Sequence, residues 1–233
     1  SSFTVPAGVT GNAQIRVVVL DGSDNEGENI SEYFSITDNT PPSVELSTPE
    51  TAVTGQNTAI SWSASDNTGL ESHHLFLSSD NGESFVFIDS TLVDISSYNW
   101  QVPDSLVCND CRFKIITYDL VHLSAEDISE TFMIEDGIPP EVVVTAPVAG
   151  SSIPEYEELT VTWDATDNIE VSDSVRVYYS NDGTSFTEMD SSSFTVPAGV
   201  TGNAQIRVVV LDGSDNEGEN ISEYFSITDN TPP

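Results

Sequence analysis

The sequence predicts an all-β fold made of repeated sandwich domains, and three observations lead to this prediction. Residues 192–233 repeat residues 1–42 letter for letter, so the chain contains the same stretch twice. Apolar and polar residues alternate in short runs, which is the pattern of strands with one buried face. Gly, Pro, Asn and Asp separate these runs, and helical periodicity of any length is absent. We therefore expect tandem domains in a linear repeat array.

A weaker similarity shows that one period contains two diverged domains. Residues 40–46 match residues 138–144, and an apolar run around Trp62 recurs around Trp163. The sequence therefore predicts the C-terminal half of a domain at 1–42 and complete domains at 43–138 and 139–233. We expect the chain to be a window of a longer periodic polymer. The half-domain would be completed by preceding residues that resemble residues 139–191, or by a neighbouring chain.

Each complete domain begins after a proline pair, Pro41-Pro42 or Pro139-Pro140, which punctuates and stiffens the junction. The next long run places Ile60, Trp62 and Ala64 on one face and serines on the other. This period of two predicts a half-buried strand. The tryptophan therefore belongs to the core face, where packing is the expected role.

Turn signals follow at Asn81-Gly82 and Asp182-Gly183, which favour tight hairpins because both central positions prefer positive φ. Later runs add further inward rows: Phe113 and Ile115 in one domain, and Ile206, Val208 and Val210 in the other. Roughly seven short strands in about 95 residues, with frequent turns, are typical of an immunoglobulin-like sandwich.

The order of motifs resembles bacterial Ig-like and fibronectin type III-like modules. The shared motifs are W-x-A-x-D-N, S-x-D-G-x-S-F and F-x-I-x-D-x-x-P-P, and they recur along the whole chain. The resemblance implies tandem modules of a secreted protein or a giant cell-surface adhesin. Two loops depart from the Asp-x-Ala-Gly-Asn pattern that is frequent in the family, at residues 119–122 and at residues 212–218.

The charge balance excludes whole classes of partner. The chain has 39 Asp and Glu against five Lys and Arg, for a formal net charge of −34. Nucleic acid and anionic lipid both require a basic face, so neither is an expected partner. No apolar run approaches the length of a membrane span, and membrane insertion is not expected. The acidic balance suits an extracellular location, cell-surface or secreted, and hard cations.

Cysteine and histidine give no sign of catalysis. Cys108 and Cys111 form a C-x-x-C pair without a second pair or a βαβ pattern, so a small surface disulfide or two free thiols are expected. His73 and His74, aligned with Ser174 and Val175, and His122 are interpreted as strand-surface and loop residues. Catalytic nucleophile and zinc-protease motifs are absent, and we expect no enzyme.

Acidic loops provide the candidate metal sites. In an immunoglobulin-like sandwich, the entry to the first strand, the loop after the second strand and the loop before the last strand lie at one end. Calcium takes 6–8 oxygen ligands, so the sequence predicts calcium at the domain junctions. The candidate ligands are Asp38, Asp66, Asn67 and Asp119 for the first complete domain, and Asp136, Asp167, Asn168, Asp212 and Asp215 for the second.

The resulting functional hypothesis is an extracellular filament or stalk whose domains are joined end to end. Its partners would be copies of itself or adjacent repeats. The alternative is an adhesin module that binds a glycan or protein receptor, and a third class is an accessory domain of a secreted hydrolase. The exact repeat favours interchangeable spacers. Asn29 and Asn220 lie in N-x-S sequons and are candidate glycosylation sites.

Overall fold

The computed structural model describes residues 2–5 and 8–230, and its regular elements there are all β-strands. This confirms the predicted all-β class. Within the described residues, no helix is long and apolar enough to cross a membrane. The chain divides into two compact units. Unit 1 is residues 1–52, 57–100 and 108–133, and unit 2 is residues 53–56, 101–107 and 134–233.

The first 42 residues form two small antiparallel pairs. Their strands are β1 (Thr10–Ala13), β2 (Arg16–Leu20), β3 (Glu26–Ile30) and β4 (Phe34–Ile36). Strand β1 pairs with β4, and β2 pairs with β3. The two pairs have the hydrogen bonding of a sandwich, but the large apolar side chains of β2 are exposed.

The first complete sandwich has two sheets. Its strands are β5 (Ser43–Ser47), β6 (Thr51–Val53), β7 (Asn57–Ser65), β8 (Leu70–Ser78), β9 (Val86–Leu92), β10 (Ser97–Gln101), β11 (Cys108–Asp119), β12 (Ser124–Ile128) and β13 (Phe132–Glu135). One sheet has the order β10-β7-β5 and the other the order β6-β13-β11-β8-β9, with β12 also paired to β11. This arrangement confirms the immunoglobulin-like sandwich.

The second sandwich repeats the topology with shorter pieces. Its strands are β14 (Glu141–Ala146), β15 (Ser152–Pro154), β16 (Glu158–Thr160), β17 (Thr162–Thr166), β18 (Val171–Ser180), β19 (Thr187–Met189), β20 (Ser193–Thr195), β21 (Thr201–Asp212), β22 (Glu217–Ile221) and β23 (Phe225–Thr228). One sheet has the order β15-β23-β21-β18-β19. Strands β14 and β17 pair on the other side, as do β16 and β20.

The predicted inward rows form the cores. In unit 1, Phe113 has no exposed surface, and its ring contacts Trp100 at 5.3 Å and Phe132 at 4.6 Å between ring centroids. Trp62 is buried, as predicted from its strand face. The core of unit 2 consists of Val142, Leu159, Val161, Val177, Tyr179, Val196, Ala204, Ile206, Val208, Val210, Phe225 and Ile227. Trp163 packs against it and is partly buried.

The surface assignment of the first histidine is wrong. His73 is buried, with its Nδ1 2.9 Å from the Thr117 hydroxyl and its ring 5.2 Å from that of Trp62. Burial lowers the pKa of His73. His73 lies opposite Thr117 on the neighbouring strand. The equivalent cross-strand pair in the second sandwich consists of two valines, Val175 and Val210. His73 is therefore a polar member of the core.

The other cysteine and histidine positions agree in part with expectation. Cys108 and Cys111 are joined by a disulfide at the start of β11, and Cys111 is fully buried rather than at the surface. His74 lies half-buried on the outer face of its sheet. His122 is exposed in a loop, where its Nδ1 lies 2.8 Å from a carboxylate oxygen of Glu71.

Candidate metal centre

Two triads of aspartates lie at equivalent strand ends, and we name them cluster 1 and cluster 2. Cluster 1 is Asp38, Asp66 and Asp119, and cluster 2 is Asp136, Asp167 and Asp212. In each triad, the first aspartate follows strand β4 or β13, and the second follows strand β7 or β17. The third aspartate is the last residue of the long strand β11 or β21. One carboxylate oxygen from each member lies within 4.8 Å of the others. Cluster 1 belongs to unit 1 and cluster 2 to unit 2.

The loop aspartates of cluster 1 use one carboxylate oxygen to hold their own loops. Asp66 Oδ2 accepts hydrogen bonds from the backbone N–H groups of Thr68 at 2.7 Å and Gly69 at 3.1 Å. Asp119 Oδ1 accepts from the N–H groups of Val121 at 2.9 Å and Leu123 at 2.8 Å. Each loop therefore fixes its aspartate in one orientation, in the manner of an Asx turn.

In cluster 2, the loop aspartates also use one carboxylate oxygen to bind the backbone of their own loops. Asp167 Oδ2 accepts from the N–H of Ile169 at 2.8 Å. Asp212 Oδ1 accepts from the N–H groups of Ser214 at 2.7 Å and Asn216 at 2.9 Å. Although its loop differs in sequence, Asp119 makes the same pair of backbone contacts as Asp212.

Four of the six aspartates each have one carboxylate oxygen that is buried and lacks a hydrogen-bond partner. In cluster 1 these atoms are Asp66 Oδ1 and Asp119 Oδ2, and in cluster 2 they are Asp136 Oδ2 and Asp167 Oδ1. Asp119 is fully buried, and Asp136 is 8% exposed. A buried charged oxygen without a partner is costly, so native structures normally supply a proton, a donor or a metal ion. Each cluster contains two such atoms.

Hydrogen bonds favour the ionised form of several members. The Thr68 hydroxyl, which donates to Asp38 Oδ2 at 2.7 Å, lowers the pKa of Asp38. The backbone N–H of Thr68 lowers the pKa of Asp66, although burial and the charge of Asp38 act against it. Burial also opposes ionisation of Asp136, but hydrogen bonds led by the Asn168 amide outweigh it and lower the pKa. In the described part of the chain, no triad aspartate takes part in any of the four ion pairs.

Cluster 2 is also held by Asn168, a candidate from the sequence, and by two groups that the sequence did not indicate, the Thr54 hydroxyl and the carbonyl of residue 104. The Thr54 hydroxyl donates to Asp136 Oδ1 at 2.8 Å. Asn168 Nδ2 donates to the same oxygen at 3.1 Å and to the Asp104 carbonyl at 2.6 Å. This leaves Asn168 Oδ1 buried and without a partner, as a further neutral oxygen beside the triad.

The candidate ligands from the sequence divide into three groups. All six triad aspartates are brought together, three in each cluster, and their binding of a metal stays a prediction. Asn67 and Asn168 lie beside their clusters, where their amide nitrogens donate to Asp38 and Asp136. Asp215 does not join cluster 2, because it lies exposed in the turn with a φ of 67°.

The glycosylation candidates occupy different surroundings. Asn29 is exposed on β3. Asn220 is half-buried on β22, and its Oδ1 accepts a hydrogen bond from the Val144 N–H at 3.1 Å. Glycosylation of both residues stays a prediction.

Fold and site together define a chain of immunoglobulin-like β-sandwiches with an aspartate triad at an end of each complete sandwich. The bacterial Ig domain family matches residues 140–215. The resemblance expected from the sequence is therefore confirmed for most of the second sandwich. No curated protein matches this sequence.

Solved structures with similar folds include bacterial modules. The fibronectin(III)-like modules of Clostridium thermocellum CbhA are 18% identical with a TM-score of 0.32, and the match covers 80% of this chain and 95% of theirs. A 1.5-MDa bacterial ice-binding adhesin is 12% identical with a TM-score of 0.34, covering 82% of this chain and 67% of that one. A Ca2+-stabilized adhesin of an Antarctic bacterium is 13% identical with a TM-score of 0.31, covering 94% and 57%. At these identities and TM-scores the likeness carries no argument about function.

Proposed function

We propose that this chain is a structural repeat unit of an extracellular filament or stalk, with calcium bound at cluster 1 and cluster 2. The observation that carries the proposal is the recurrence of the triad, with its buried unpartnered oxygens, at the same strand ends of successive sandwiches. The exact repeat of residues 1–42 supports an interchangeable unit rather than a specialised one. Its partners are copies of itself or adjacent repeats, and its location is the cell surface or the secreted space.

The donor set fits calcium. Carboxylate and amide oxygens are the ligands of a hard cation, and Ca2+ binds them at about 2.3–2.6 Å. Two oxygens on one such ion can lie at most roughly 5 Å apart. The oxygens within each triad lie within 4.8 Å of one another, so one ion can reach all three. Mg2+ demands a tighter octahedral shell and retains its waters, so it fits this open set less well.

Charge explains what a cation would do for the fold. Three carboxylates in each cluster repel one another, and the whole chain has a net charge of −34. A divalent ion would supply a partner for the buried oxygens and offset this repulsion. Because it binds the folded state and not the unfolded chain, it would stabilise the protein by mass action. The ion would order the loops that hold its ligands.

The adhesin alternative is favoured by one specific observation. Phe87 lies on the outer face of the sheet that contains β8 and β9, and it is 53% exposed. The centroid of its ring lies 6.1 Å from that of His74 and 5.5 Å from that of Phe76. Phe87 lies opposite Phe76 on the neighbouring strand. In the second sandwich the equivalent pair is Glu188 opposite Tyr178, so a glutamate occupies the position of Phe87. An exposed aromatic at this position in one sandwich and not in the other is compatible with a receptor contact. A Phe87→Ala variant that kept its stability but lost cell binding would favour this alternative.

Calorimetry of the full chain tests the metal proposal. We expect a higher melting temperature with calcium than with a chelator, and expect Asp212→Asn to remove most of the calcium-dependent shift of unit 2. Asp21→Asn is the matched control. Asp21 is the same residue in the first copy and makes the same bonds to its loop, but it lies outside both clusters. Superimposable curves with and without calcium would contradict the proposal, and so would equal losses in both variants.

A further inference from the structure

We infer that a cavity at the edge of the second sandwich is a binding site for a neutral saccharide ring. The cavity has a volume of about 660 Å³, and its lining residues all lie between Tyr179 and Thr201. It is separate from cluster 2, whose aspartates are not among the lining residues. The inference therefore goes beyond the proposed structural role and does not depend on calcium.

Two stretches of the chain form the cavity. One is the hairpin of β18 and β19, and the other is the loop that leads from β20 into β21. Strand β19 is the last strand of its sheet, so the cavity lies beside a sheet edge. Val200 at its rim is 64% exposed, which places the opening at the surface. The volume falls within the range of about 300–1,000 Å³ that is usual for small-molecule sites.

The buried tyrosine of this cavity has a hydroxyl group without a partner. Tyr179 is 6% exposed, and its ring packs against that of Phe194 at 5.9 Å between ring centroids. Its hydroxyl oxygen is buried and has no hydrogen-bond partner among the described residues. Burial raises the pKa of Tyr179, so the hydroxyl keeps its proton at neutral pH. An unsatisfied buried hydroxyl is costly, and the cavity that Tyr179 lines is where a ligand can supply the missing partner.

The first sandwich has an apolar residue at the position of this tyrosine. Leu77 lies opposite Phe113 there, as Tyr179 lies opposite Ile206 in the second sandwich. A leucine fills the inner face of the sheet without a polar group, so packing of the sandwich does not require the hydroxyl. The hydroxyl of Tyr179 is therefore a feature of the second sandwich that its fold leaves unused.

A second polar atom of the cavity lacks a donor. Asn181 lines the same cavity, and its Oδ1 is buried without a hydrogen-bond partner. A side chain at position 199 would collide with the Asn181 amide nitrogen, so the glycine there allows the amide to take this place. A ligand must therefore bring at least one O–H or N–H donor to Asn181 and a partner to the tyrosine hydroxyl.

The charges around the cavity exclude an anionic ligand. Asp182 and Glu188 line it, and no lysine, arginine or histidine is among its lining residues. The backbone N–H groups of Ser185 and Thr184 donate to Asp182 Oδ1 at 2.7 Å and 2.8 Å, and they lower the pKa of Asp182. Asp182 is therefore ionised at neutral pH, where it repels anions and accepts hydrogen bonds from hydroxyl groups.

The rest of the lining includes apolar surface. Met189, Pro197 and Val200 supply it, on both stretches of chain that form the cavity. A simple cation would leave this surface without a contact. A neutral sugar ring has hydroxyl groups at its rim for the polar atoms and C–H groups on its faces for the apolar side chains. This combination makes a saccharide ring the ligand that the cavity fits.

The experiment is an NMR titration of the full chain with the methyl glycosides of glucose, mannose, galactose and N-acetylglucosamine. We expect at least one of these probes to shift backbone amide signals saturably, with the shifts confined to residues 179–201. The dissociation constant of a single ring should be on the order of 1 mM. Saturation-transfer difference signals from the probe should show which of its protons contact the protein.

Two variants test the role of the hydroxyl. Tyr179→Phe removes that group alone and should weaken sugar binding by about tenfold, the effect of one lost hydrogen bond. Without sugar, this variant should melt at or above the temperature of the parent chain, because it loses an unsatisfied buried group. Tyr178→Phe is the matched control. It makes the same change at the neighbouring residue, which does not line the cavity, and should leave binding unchanged.

Several outcomes would overturn the inference. One is the absence of binding by all four probes, and another is undiminished binding to the Tyr179→Phe variant. A lower melting temperature of that variant without sugar would mean that the hydroxyl already has a partner in the fold, such as an ordered water. Shifts centred on Phe87 would place the sugar on the first sandwich instead. The titration can be run with calcium and with a chelator, so its failure leaves the metal proposal standing, and a failed calorimetric test leaves this inference standing.

Discussion

Residues 1–42 and 192–233 have one sequence and two levels of burial. In the second copy the inward row of the long strand has no exposed surface, and in the first copy the same row is about half exposed. The difference cannot come from the residues, which are identical. It comes from residues 139–191, named the front segment, which cover residues 192–233 and not residues 1–42. Strand and loop structure are therefore encoded locally here, while burial depends on a partner segment.

The local structure of the two copies is nearly the same. Ala13 pairs with Phe34 in the first, and Ala204 pairs with Phe225 in the second. The following hairpins also share one register, from the first pair to the last. What differs is continuity. Strand β21 runs unbroken for 12 residues, while the equivalent stretch forms two separate strands, β1 and β2. Pairing with β18 accounts for the longer strand.

The largest expected effect comes from truncating one isoleucine in each copy. Ile206→Ala should lower the free energy of unfolding of unit 2 by about 2–5 kcal/mol, because it removes fully buried methylene groups and leaves a cavity. Ile15→Ala should change stability by about 0.5 kcal/mol or less, as for most surface substitutions. Denaturant unfolding of both variants measures the difference. Equal losses would mean that the first copy is also covered in solution.

A smaller effect is expected from replacing the serine whose hydroxyl accepts a hydrogen bond from the backbone of the same isoleucine. Ser222 is buried, and its hydroxyl oxygen accepts from the Ile206 N–H at 2.9 Å. Ser222→Ala would leave that buried N–H unsatisfied, at a loss of about 1–3 kcal/mol. The equivalent Ser31 accepts from the Ile15 N–H at the same distance, but it is exposed and water can replace it. Ser31→Ala should therefore be close to neutral, and a loss similar to that of Ser222→Ala would contradict the comparison.

The sequence predicts the aspartate triads because their positions follow from topology. Asp66 and Asp167 stand at the end of an alternating run, and Asp119 and Asp212 at the end of another. Strands of a sandwich that run in known directions bring such ends together. No motif indicates Thr54, because it lies in the turn after β6, far from Asp136 in the sequence, and reaches Asp136 only in the folded chain. The sequence does not indicate the carbonyl of residue 104 either, because this group reaches Asn168 only in the folded chain.

The burial of His73 could not be read from the sequence because of one extra hairpin residue. Ser78 and Ser180 have the same role, since each hydroxyl oxygen accepts from a turn glycine N–H, at 2.8 Å from Gly82 and 2.9 Å from Gly183. The first hairpin has one residue more between these two groups. An alignment on the turn therefore shifts the strand by one position, and a shift of one moves every side chain to the other face. The aligned partner of His73 is Val175, not Ser174.

The smallest expected effect tests whether the loop of the exposed copy is formed without its cover. Asp21 Oδ1 accepts from the N–H groups of Ser23 and Asn25, and the Asn25 amide donates to Asp21 Oδ2 at 2.8 Å. These bonds, led by that of the Asn25 side chain, lower the pKa of Asp21. A depressed carboxylate pKa stabilises the folded loop above the unfolded-state pKa, and the contribution is lost as pH falls through the lower folded value. We expect an NMR titration to place Asp21 below an ordinary aspartate, and Asn25→Ala to raise its pKa toward the ordinary value. An unshifted Asp21 in the parent chain would mean that this loop, unlike its copy, needs the front segment in order to form.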